Sequence, residues 1–239
     1  MMLEADRLCA WYGAAQILFD VSFDVGRGEV VALMGRNGAG KSTTLKAIMG
    51  LVGRRAGSVR FDGTELLRLE TFQIARLGLG WVPEDRRIFT ELTVRENLDV
   101  GRQDPRKFAD GASAPAWTPE KLFALFPNLA ERRHHLGSQL SGGEQQMLTV
   151  ARTLMGNPRM VLFDEPSEGV APLVVERMAE AIVEMKQLGL SVLLSEQNLH
   201  FAALVSDRVY ILEKGHIGWS GAMRELEASQ NVQRQFLGV

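Results

Sequence analysis

One stretch of the sequence constrains the fold more than any other. A continuous apolar run, residues 30–34, leads directly into the glycine-rich octapeptide GRNGAGKS, residues 35–42. An apolar run without alternation predicts a strand that is buried on both faces. A helix is expected from about Ser42, with its apolar positions facing inward and Gly50 at its end. A strand, a glycine-rich loop and a helix in this order predict a layered α/β structure.

Strands and helices alternate again in the last third of the chain. Apolar runs at Met160–Phe163, Ser191–Leu194 and Val209–Leu212 predict further buried strands, with Gly189 ending the helix between the first two. Strands separated by helices favour a mostly parallel sheet. Near the N-terminus the pattern is different, because apolar and polar residues alternate over Gln16–Val25. This alternation predicts a strand of an antiparallel β portion, with one side formed by Ile17, Phe19, Val21, Phe23 and Val25.

The middle of the chain interrupts the pattern. Residues 102–120 contain three prolines and many small residues, which predicts an irregular excursion between helical stretches. We therefore expect one domain over residues 1–239, with a helical subdomain inserted into an α/β core. The subdomain is placed at residues 85–158, and the core at residues 1–84 and 159–239.

Charge and composition narrow the functional classes. The formal net charge is −2, so no overall basic field favours nucleic acid, and we expect no nucleic-acid partner. The basic runs Arg86-Arg87 and Arg132–His135 are interpreted as solvated faces or as contacts within the helical subdomain, because no aromatic residue interleaves them. No apolar stretch approaches the roughly 20 residues that span a bilayer. If the protein acts at a membrane, other chains must span it.

The octapeptide fits G-x-x-x-x-G-K-[ST], the pattern of a phosphate-binding P-loop. Glycines let backbone N–H groups surround a phosphate at the positive end of the following helix. Lys41 is expected to reach the β- and γ-phosphates of ATP, and the Ser42 hydroxyl to ligate Mg²⁺. A chance match in a β–α turn is the alternative, but the strand and helix lie where the motif needs them. The predicted ATP-binding residues here are Gly35, Arg36, Asn37, Gly38, Ala39, Gly40, Lys41, Ser42 and Thr43.

Two carboxylates follow a second buried strand, in the sequence MVLFDE at residues 160–165. A carboxylate at the end of a buried strand is costly unless a cation accompanies it. We expect Asp164 to hold Mg²⁺ through water and Glu165 to deprotonate the attacking water. By itself, Asp-Glu-Pro could also be a turn that ends the strand. The P-loop elsewhere in the chain favours the catalytic interpretation.

A third motif, LSGGEQQ at residues 140–146, precedes an amphipathic helix. Ser141 and Glu144 have the spacing of a capping box, so Ser141 could be only a helix cap. However, two adjacent glycines weaken a helix by roughly 1 kcal/mol each. They are better explained by something that approaches the backbone closely, and a helix N-terminus favours an anion.

In this order, the three motifs resemble the ATP-binding subunits of ABC transporters over nearly the whole chain. The resemblance implies that two such domains pair head to tail, and that Ser141, Gly142 and Gly143 contact the ATP held by the P-loop of the facing domain. It also gives Tyr12 a role as the aromatic that stacks on adenine. A plain surface or core aromatic is the alternative for Tyr12.

Two positions differ from the general pattern of that family. Glu84 stands where glutamine is usual, and we expect it to contribute to the nucleotide and Mg²⁺ site. Gln197 stands where histidine is usual; an amide cannot carry a proton as imidazole does, but it can still hydrogen-bond near the γ-phosphate. His200, one helical turn later, could substitute or could be a solvated surface residue. Lys41, Glu165 and Gln197 are the predicted catalytic residues.

Residue detail makes the resemblance narrower. The segments VPEDRRIF, LTVRENL, DEPSEGVAP and SEQN are similar to the shorter ATPase of branched-chain amino-acid importers, and the related urea and short-chain amide importers are also similar. The resemblance implies that this subunit pairs with a longer ATPase, which residues 168–172 contact. The pair lies beneath two membrane permeases, on the cytoplasmic face of the inner membrane. A periplasmic binding protein delivers the solute. The rival hypotheses are a soluble, non-transport ABC ATPase and a regulatory module that binds ATP without hydrolysing it.

Overall fold

The computed structural model describes residues 1–238 and arranges their strands in two sheets. The first sheet contains β1 (Leu3–Tyr12), β2 (Ala15–Val25), β4 (Arg54–Phe61) and β5 (Thr64–Glu65). The second contains β3 (Val30–Met34), β6 (Leu79–Val82), β7 (Met160–Asp164), β8 (Ser191–Glu196), β9 (Arg208–Glu213) and β10 (His216–Ala222).

The predicted parallel sheet is confirmed, and the strand before the P-loop lies inside it. The strand order is β10-β9-β3-β8-β7-β6. The five strands from β9 to β6 run parallel, and β10 is added antiparallel at the edge by a hairpin. All five residues of β3 are buried, as expected for a strand with neighbours on both sides. The carboxyl ends of β3, β7 and β8 therefore meet at one edge of the sheet.

The antiparallel sheet is also confirmed, with the order β2-β1-β4-β5. The predicted buried side of β2 is wrong in its first half. Val21, Phe23 and Val25 are buried, but Leu18 is fully buried where Ile17 and Phe19 were expected. The cause is a bulge at Asp20, whose φ is 51°, with a register shift between the pairs Leu8–Val21 and Ala10–Leu18. An extra residue in one strand reverses which side chains face inward.

Helices cover both faces of the parallel sheet. Those of the core are α1 (Lys41–Ile48), α2 (Thr71–Arg76), α7 (Pro172–Gln187), α8 (Leu199–Val205) and α9 (Met223–Ala228), followed by short helical turns at Gln230–Val232 and Gln233–Leu237. Two neighbouring residues of β7 face opposite sides of the sheet. Leu162 packs into a cluster with α1 and the antiparallel sheet. Phe163 packs into a cluster with α7 and with α6, the helix Gly142–Met155. In residues 1–238, no helix is long and apolar enough to cross a membrane.

The middle of the chain is helical, as predicted. Besides α6 it contains α3 (Val94–Gly101), α4 (Pro119–Leu125), α5 (Pro127–Glu131) and a single 3₁₀ turn at Gly137–Gln139. The helices α3 and α6 pack together, and the buried Asn97 of α3 donates from its amide to the carbonyls of Phe89, Leu92 and Thr93.

The irregular excursion expected at 102–120 is confirmed up to α4, and it is tied to the core. Arg27 lies 3.5 Å from the ring centre of Phe108 and forms an ion pair of 2.8 Å with Asp110. The backbone N–H of Ala109 donates to Asp62 at 2.8 Å. These contacts join a segment without regular hydrogen bonding to the antiparallel sheet.

Candidate functional site

The loop between β3 and α1 has the geometry of a phosphate cradle. Gly35, Gly38 and Gly40 have φ values of 147°, 80° and 112°, which side chains with a Cβ rarely adopt. Gly35 also approaches the backbone of β9, since a Cβ there would lie 2.4 Å from the carbonyl oxygen of Leu212. The helix α1 begins after Gly40 without a side-chain cap. Its first N–H groups therefore remain available to an anion.

Lys41, the first residue of α1, is buried at the centre of the site. Its Nζ donates to the carbonyl oxygens of Gly35 at 2.8 Å and Arg36 at 3.3 Å. The same atom forms an ion pair of 3.0 Å with Oε1 of Glu165. The predicted phosphate-binding lysine and the predicted general base are thus in direct contact, although 124 positions separate them in the numbering (165 − 41).

Asp164 ends β7 and is only 2% exposed. Its Oδ1 has no hydrogen-bond partner within residues 1–238. Burial raises the pKa of Asp164, against the opposing effects of the Ser42 hydroxyl and the charge of Lys46. A buried, unpaired carboxylate oxygen beside a serine hydroxyl fits Mg²⁺, which takes oxygen ligands, keeps several waters and needs few protein groups.

Glu165 is held in an unusual backbone conformation, with φ of 48°, and its N–H donates to the Ser195 carbonyl of β8 at 3.0 Å. Burial alone would raise its pKa. Hydrogen bonds with Glu168 and Lys41, together with the charge of Lys41, outweigh that effect and hold the pKa of Glu165 below its usual value. Glu165 is therefore ionised near neutral pH and can accept a proton.

Gln197 follows β8 and contacts the same carboxylate from the other side. Its Nε2 donates to Oε2 of Glu165 at 3.0 Å and to Oε2 of Glu168 at 3.3 Å. The hydrogen bond with Glu165 and the repulsion from its charge raise the pKa of Glu168 to about 7. His200 lies on the exposed side of α8.

A buried carboxylate that the sequence analysis missed fixes these loops. Glu196 is 1% exposed, and it accepts the backbone N–H groups of Ser167 at 3.1 Å and of Gln197 and Asn198 at 3.0 Å each. Burial raises the pKa of Glu196, although these hydrogen bonds oppose the shift. A signal was available: Glu196 lies two positions after an apolar run, at the end of a buried strand, where a carboxylate requires partners.

Eight of the 17 predicted site residues line one cleft of about 380 Å³, which we call the P-loop cleft. It is bounded by Ile17, Asn37, Gly38, Gly40, Lys41, Ser42, Thr43, Glu84, Glu165 and Glu168. Glu84 is among the residues that line the cleft. Tyr12 does not line the cleft; it ends β1 at the turn into β2 and is 47% exposed.

The segment Ser141–Gly143 does not line the P-loop cleft. The capping box is formed, because Ser141 Oγ accepts from the Glu144 N–H at 3.3 Å and Glu144 Oε2 accepts from the Ser141 N–H at 2.8 Å. The groups that lie closest to Gly142 and Gly143 are side chains of this chain. A Cβ on Gly142 would lie 2.5 Å from the Arg86 guanidinium, and one on Gly143 would lie 2.4 Å from Val174.

Arg86 is therefore more than a solvated residue. Besides covering Gly142, its Nη2 donates to the carbonyl of Gly169, after β7, at 3.3 Å. Its carbonyl accepts from Thr149 of α6 at 2.6 Å. By contrast, Arg87 pairs with the exposed Asp85, as expected for a solvated position.

Known proteins are similar to this chain in sequence and in fold over nearly its whole length. The ABC transporter family profile matches residues 18–168. The chain is 40% identical over 237 residues to the high-affinity branched-chain amino acid transport ATP-binding protein BraG of Pseudomonas aeruginosa, covering 99% of this chain and 100% of that protein. It is 34% identical over 238 residues to the lipopolysaccharide export system ATP-binding protein LptB of Escherichia coli K12, covering 99% and 97%.

A solved ATP-binding subunit of an ABC transporter superposes with a TM-score of 0.79 at 29% identity, covering 100% of this chain and 97% of that one. The similarity in sequence to both relatives covers 99% of the chain, and the similarity in fold covers all of it. This protein therefore belongs to the ABC transporter family, as an ATP-binding subunit that hydrolyses ATP.

Proposed function

We propose that this subunit powers an ABC importer for branched-chain amino acids. The observation that carries the proposal is the connected group at the P-loop cleft, in which Glu165 contacts Lys41 on one side and Gln197 on the other, taken together with the 40% identity to BraG over 99% of the chain. Equivalent subunits of urea or short-chain amide importers remain the alternative. The 34% identity to LptB favours a second candidate, an export system.

In this proposal the residues of the P-loop cleft share the work of hydrolysis. The N–H groups of residues 35–43 and the ammonium of Lys41 bind the phosphates of ATP. Ser42, Asp164 and Glu84 supply the oxygens for Mg²⁺, which would neutralise phosphate charge when bound. Glu165 accepts a proton from the attacking water, and Gln197 orients the groups beside it. Tyr12, exposed at the edge of the antiparallel sheet, stacks on adenine.

The segment Ser141–Gly143 is assigned to a different nucleotide. Because it lies outside the P-loop cleft, it can stabilise a γ-phosphate only if a facing ATPase brings one. We infer a head-to-tail dimer with a second, longer ATPase, in which the segment after β7, residues 168–172, contacts the partner. Binding and hydrolysis of ATP then close and reopen the dimer and shift the attached permeases between two states.

The remaining partners follow from membership of a transporter family. We propose two membrane permeases and a periplasmic solute-binding protein, with this chain peripheral on the cytoplasmic face of the inner membrane. Residues 85–158 act as the helical subdomain of a single ATPase domain. A groove of about 600 Å³ between that segment and the core, lined by Trp81, Phe89, Val100 and Arg152 among others, is the surface we assign to a permease.

Co-purification tests the transport assignment. An affinity tag on this chain should recover a second ATPase and two permeases from detergent-solubilised membranes. In vesicles, the recovered complex should hydrolyse ATP faster with its binding protein loaded with leucine, isoleucine or valine than with urea or an amide. The same preparation with Glu165→Gln in this chain is the matched control. Stimulation by urea alone, or recovery of permeases that respond to lipopolysaccharide, would contradict the branched-chain assignment.

A further inference from the structure

The carboxamide of Gln197 is held by two carboxylates and not by one. Its Nε2 lies 3.0 Å from Oε2 of Glu165 and 3.3 Å from Oε2 of Glu168. The reverse orientation would place the amide oxygen against the ionised carboxylate of Glu165, so charge fixes which end faces it. The carboxamide oxygen is therefore the end left free for other partners.

The two carboxylates and the amide are mounted on a rigid base. The turn after β7 is closed by a hydrogen bond from the Glu168 N–H to the Glu165 carbonyl at 3.1 Å. The buried Glu196 bonds the N–H groups of Ser167, on the first loop, and of Gln197, on the second. Because one buried side chain holds both loops, the distance between Glu168 and Gln197 is set by the fold.

The two glutamates have different surroundings. Glu165 is buried and is the proposed acceptor of the proton from the attacking water. Glu168 is exposed, lines the same cleft and has no proposed part in the proton transfer. The bond from Gln197 to Glu168 therefore holds the carboxamide through a side chain that does not itself react.

We infer that Glu168 is a positioning residue for ATP hydrolysis, which holds the amino end of Gln197 beside Glu165 while the proton is transferred. This inference rests on the proposed roles of Glu165 and Gln197. It adds a third group, from the segment that otherwise faces a partner, and it explains how a glutamine can work at this position without carrying a proton.

A double-mutant cycle in the assembled transporter tests the inference. Glu168→Ala should lower kcat about tenfold, the factor that corresponds to one hydrogen bond to a charged group, and should leave KM for ATP unchanged. Combining it with Gln197→Ala should lower kcat no further than Gln197→Ala alone. Glu168→Gln should restore most of the activity, because its amide oxygen still accepts the hydrogen bond. Glu176→Ala, which removes an exposed glutamate of α7, is the control for loss of charge.

Three outcomes would overturn the inference: unchanged kcat in Glu168→Ala, multiplicative losses in the double variant, or equal losses in Glu168→Ala and Glu176→Ala. The exposed position of Glu168 allows substitution without a packing defect, and unchanged thermal unfolding checks this. Failure of the proposed function gives a different result: the solute that stimulates hydrolysis would not be a branched-chain amino acid, whereas the losses of kcat in Glu168→Ala and in the double variant would be as expected.

Discussion

Two segments of this protein place glycines at the start of a helix, and they are built in different ways. In residues 35–40, three glycines adopt positive φ and the helix α1 begins without a side-chain cap. In residues 141–143, Ser141 caps α6 and both glycines have helical conformation. The first segment is a concave loop that can wrap a phosphate by itself. The second is an already capped helix end that presents a flat backbone surface.

The neighbours of the glycines explain the difference. Gly35 is required because the backbone of β9 lies where its side chain would be. Gly142 and Gly143 are covered instead by side chains, the Arg86 guanidinium and Val174. Arg86 also bonds the segment after β7 through Gly169, so the helix end and that segment are linked within the chain. Under the proposed head-to-tail dimer, the first segment would bind the ATP of its own chain, whereas the second would contact the ATP carried by the facing subunit.

The largest effect is expected from a substitution in the P-loop cleft, which is proposed to hydrolyse the ATP bound by its own chain. Glu165→Gln keeps the shape of the side chain and one hydrogen bond but removes the proton acceptor. Turnover of ATP should fall by roughly 10² to 10⁴, the usual contribution of a general base, while ATP remains bound. Steady-state hydrolysis and nucleotide retention measure both. The site completed by the partner's P-loop must be disabled in this experiment, since near-normal turnover with that site silent would remove Glu165 from the mechanism.

A smaller effect is expected from a substitution in the segment Ser141–Gly143, which is proposed to act in trans. Ser141→Arg should leave ATP binding to the isolated subunit intact, because Ser141 lies outside the P-loop cleft. It should block ATP-dependent dimerisation and lower hydrolysis at the partner's P-loop by about 10²-fold, as for loss of one preorganised donor group. Sedimentation and calorimetry distinguish the two properties. Loss of ATP binding in the isolated monomer would break the comparison, because Ser141 would then act in cis.

Lys41→Ala should weaken MgATP binding by about 10- to 100-fold, the range for a charge-assisted hydrogen bond. Calorimetric titration measures this affinity. The change also leaves Glu165 without its cation, which can destabilise a buried carboxylate. Lys41→Ala combined with Glu165→Gln removes both charges, so it separates lost phosphate binding from lost stability. Wild-type affinity in both variants would refute the P-loop assignment.

The smallest effects are expected on stability, when a glycine of each segment is replaced by alanine. Gly35→Ala combines strain at φ of 147° with a backbone clash at 2.4 Å, so the free energy of unfolding should fall by about 2 to 3 kcal/mol. Gly142→Ala meets only the flexible end of Arg86 and gains helix propensity, so its change should stay within about 1 kcal/mol. Urea denaturation measures both. Equal destabilisation would show that the two segments are constrained alike.

Long apolar runs and the three motifs made much of the fold predictable. Runs such as Val30–Met34 and Met160–Phe163 have only one good environment, a strand covered on both faces, and the structure confirms both. The glycine-rich loop was expected between the strand Val30–Met34 and a helix, and Gly35, Gly38 and Gly40 all have positive φ there. The side of β2 that is buried could not be predicted in full, because the bulge at Asp20 depends on its partner strand.

The role of the glycines at 142 and 143 shows a different limit. Sequence reasoning correctly predicted that something approaches this backbone closely, but it could not identify Arg86 and Val174, which come from distant parts of the chain. Glu196 and Glu168 were similarly invisible as partners of Gln197. A hydrogen bond between two loops depends on which strands are adjacent, and the sequences of the loops do not determine the strand order.

By itself, the sequence determined the local chemistry: a glycine loop before a helix, two carboxylates after a strand and a capped helix start, each fixed by residues close together in the chain. Only the tertiary structure decided which of these groups meet. The strand order places β3 and β7 on either side of β8, and this brings Lys41 and Gln197 each within 3.0 Å of Glu165. The physical reason is that a parallel sheet aligns the ends of strands far apart in sequence, so their loops share one cleft.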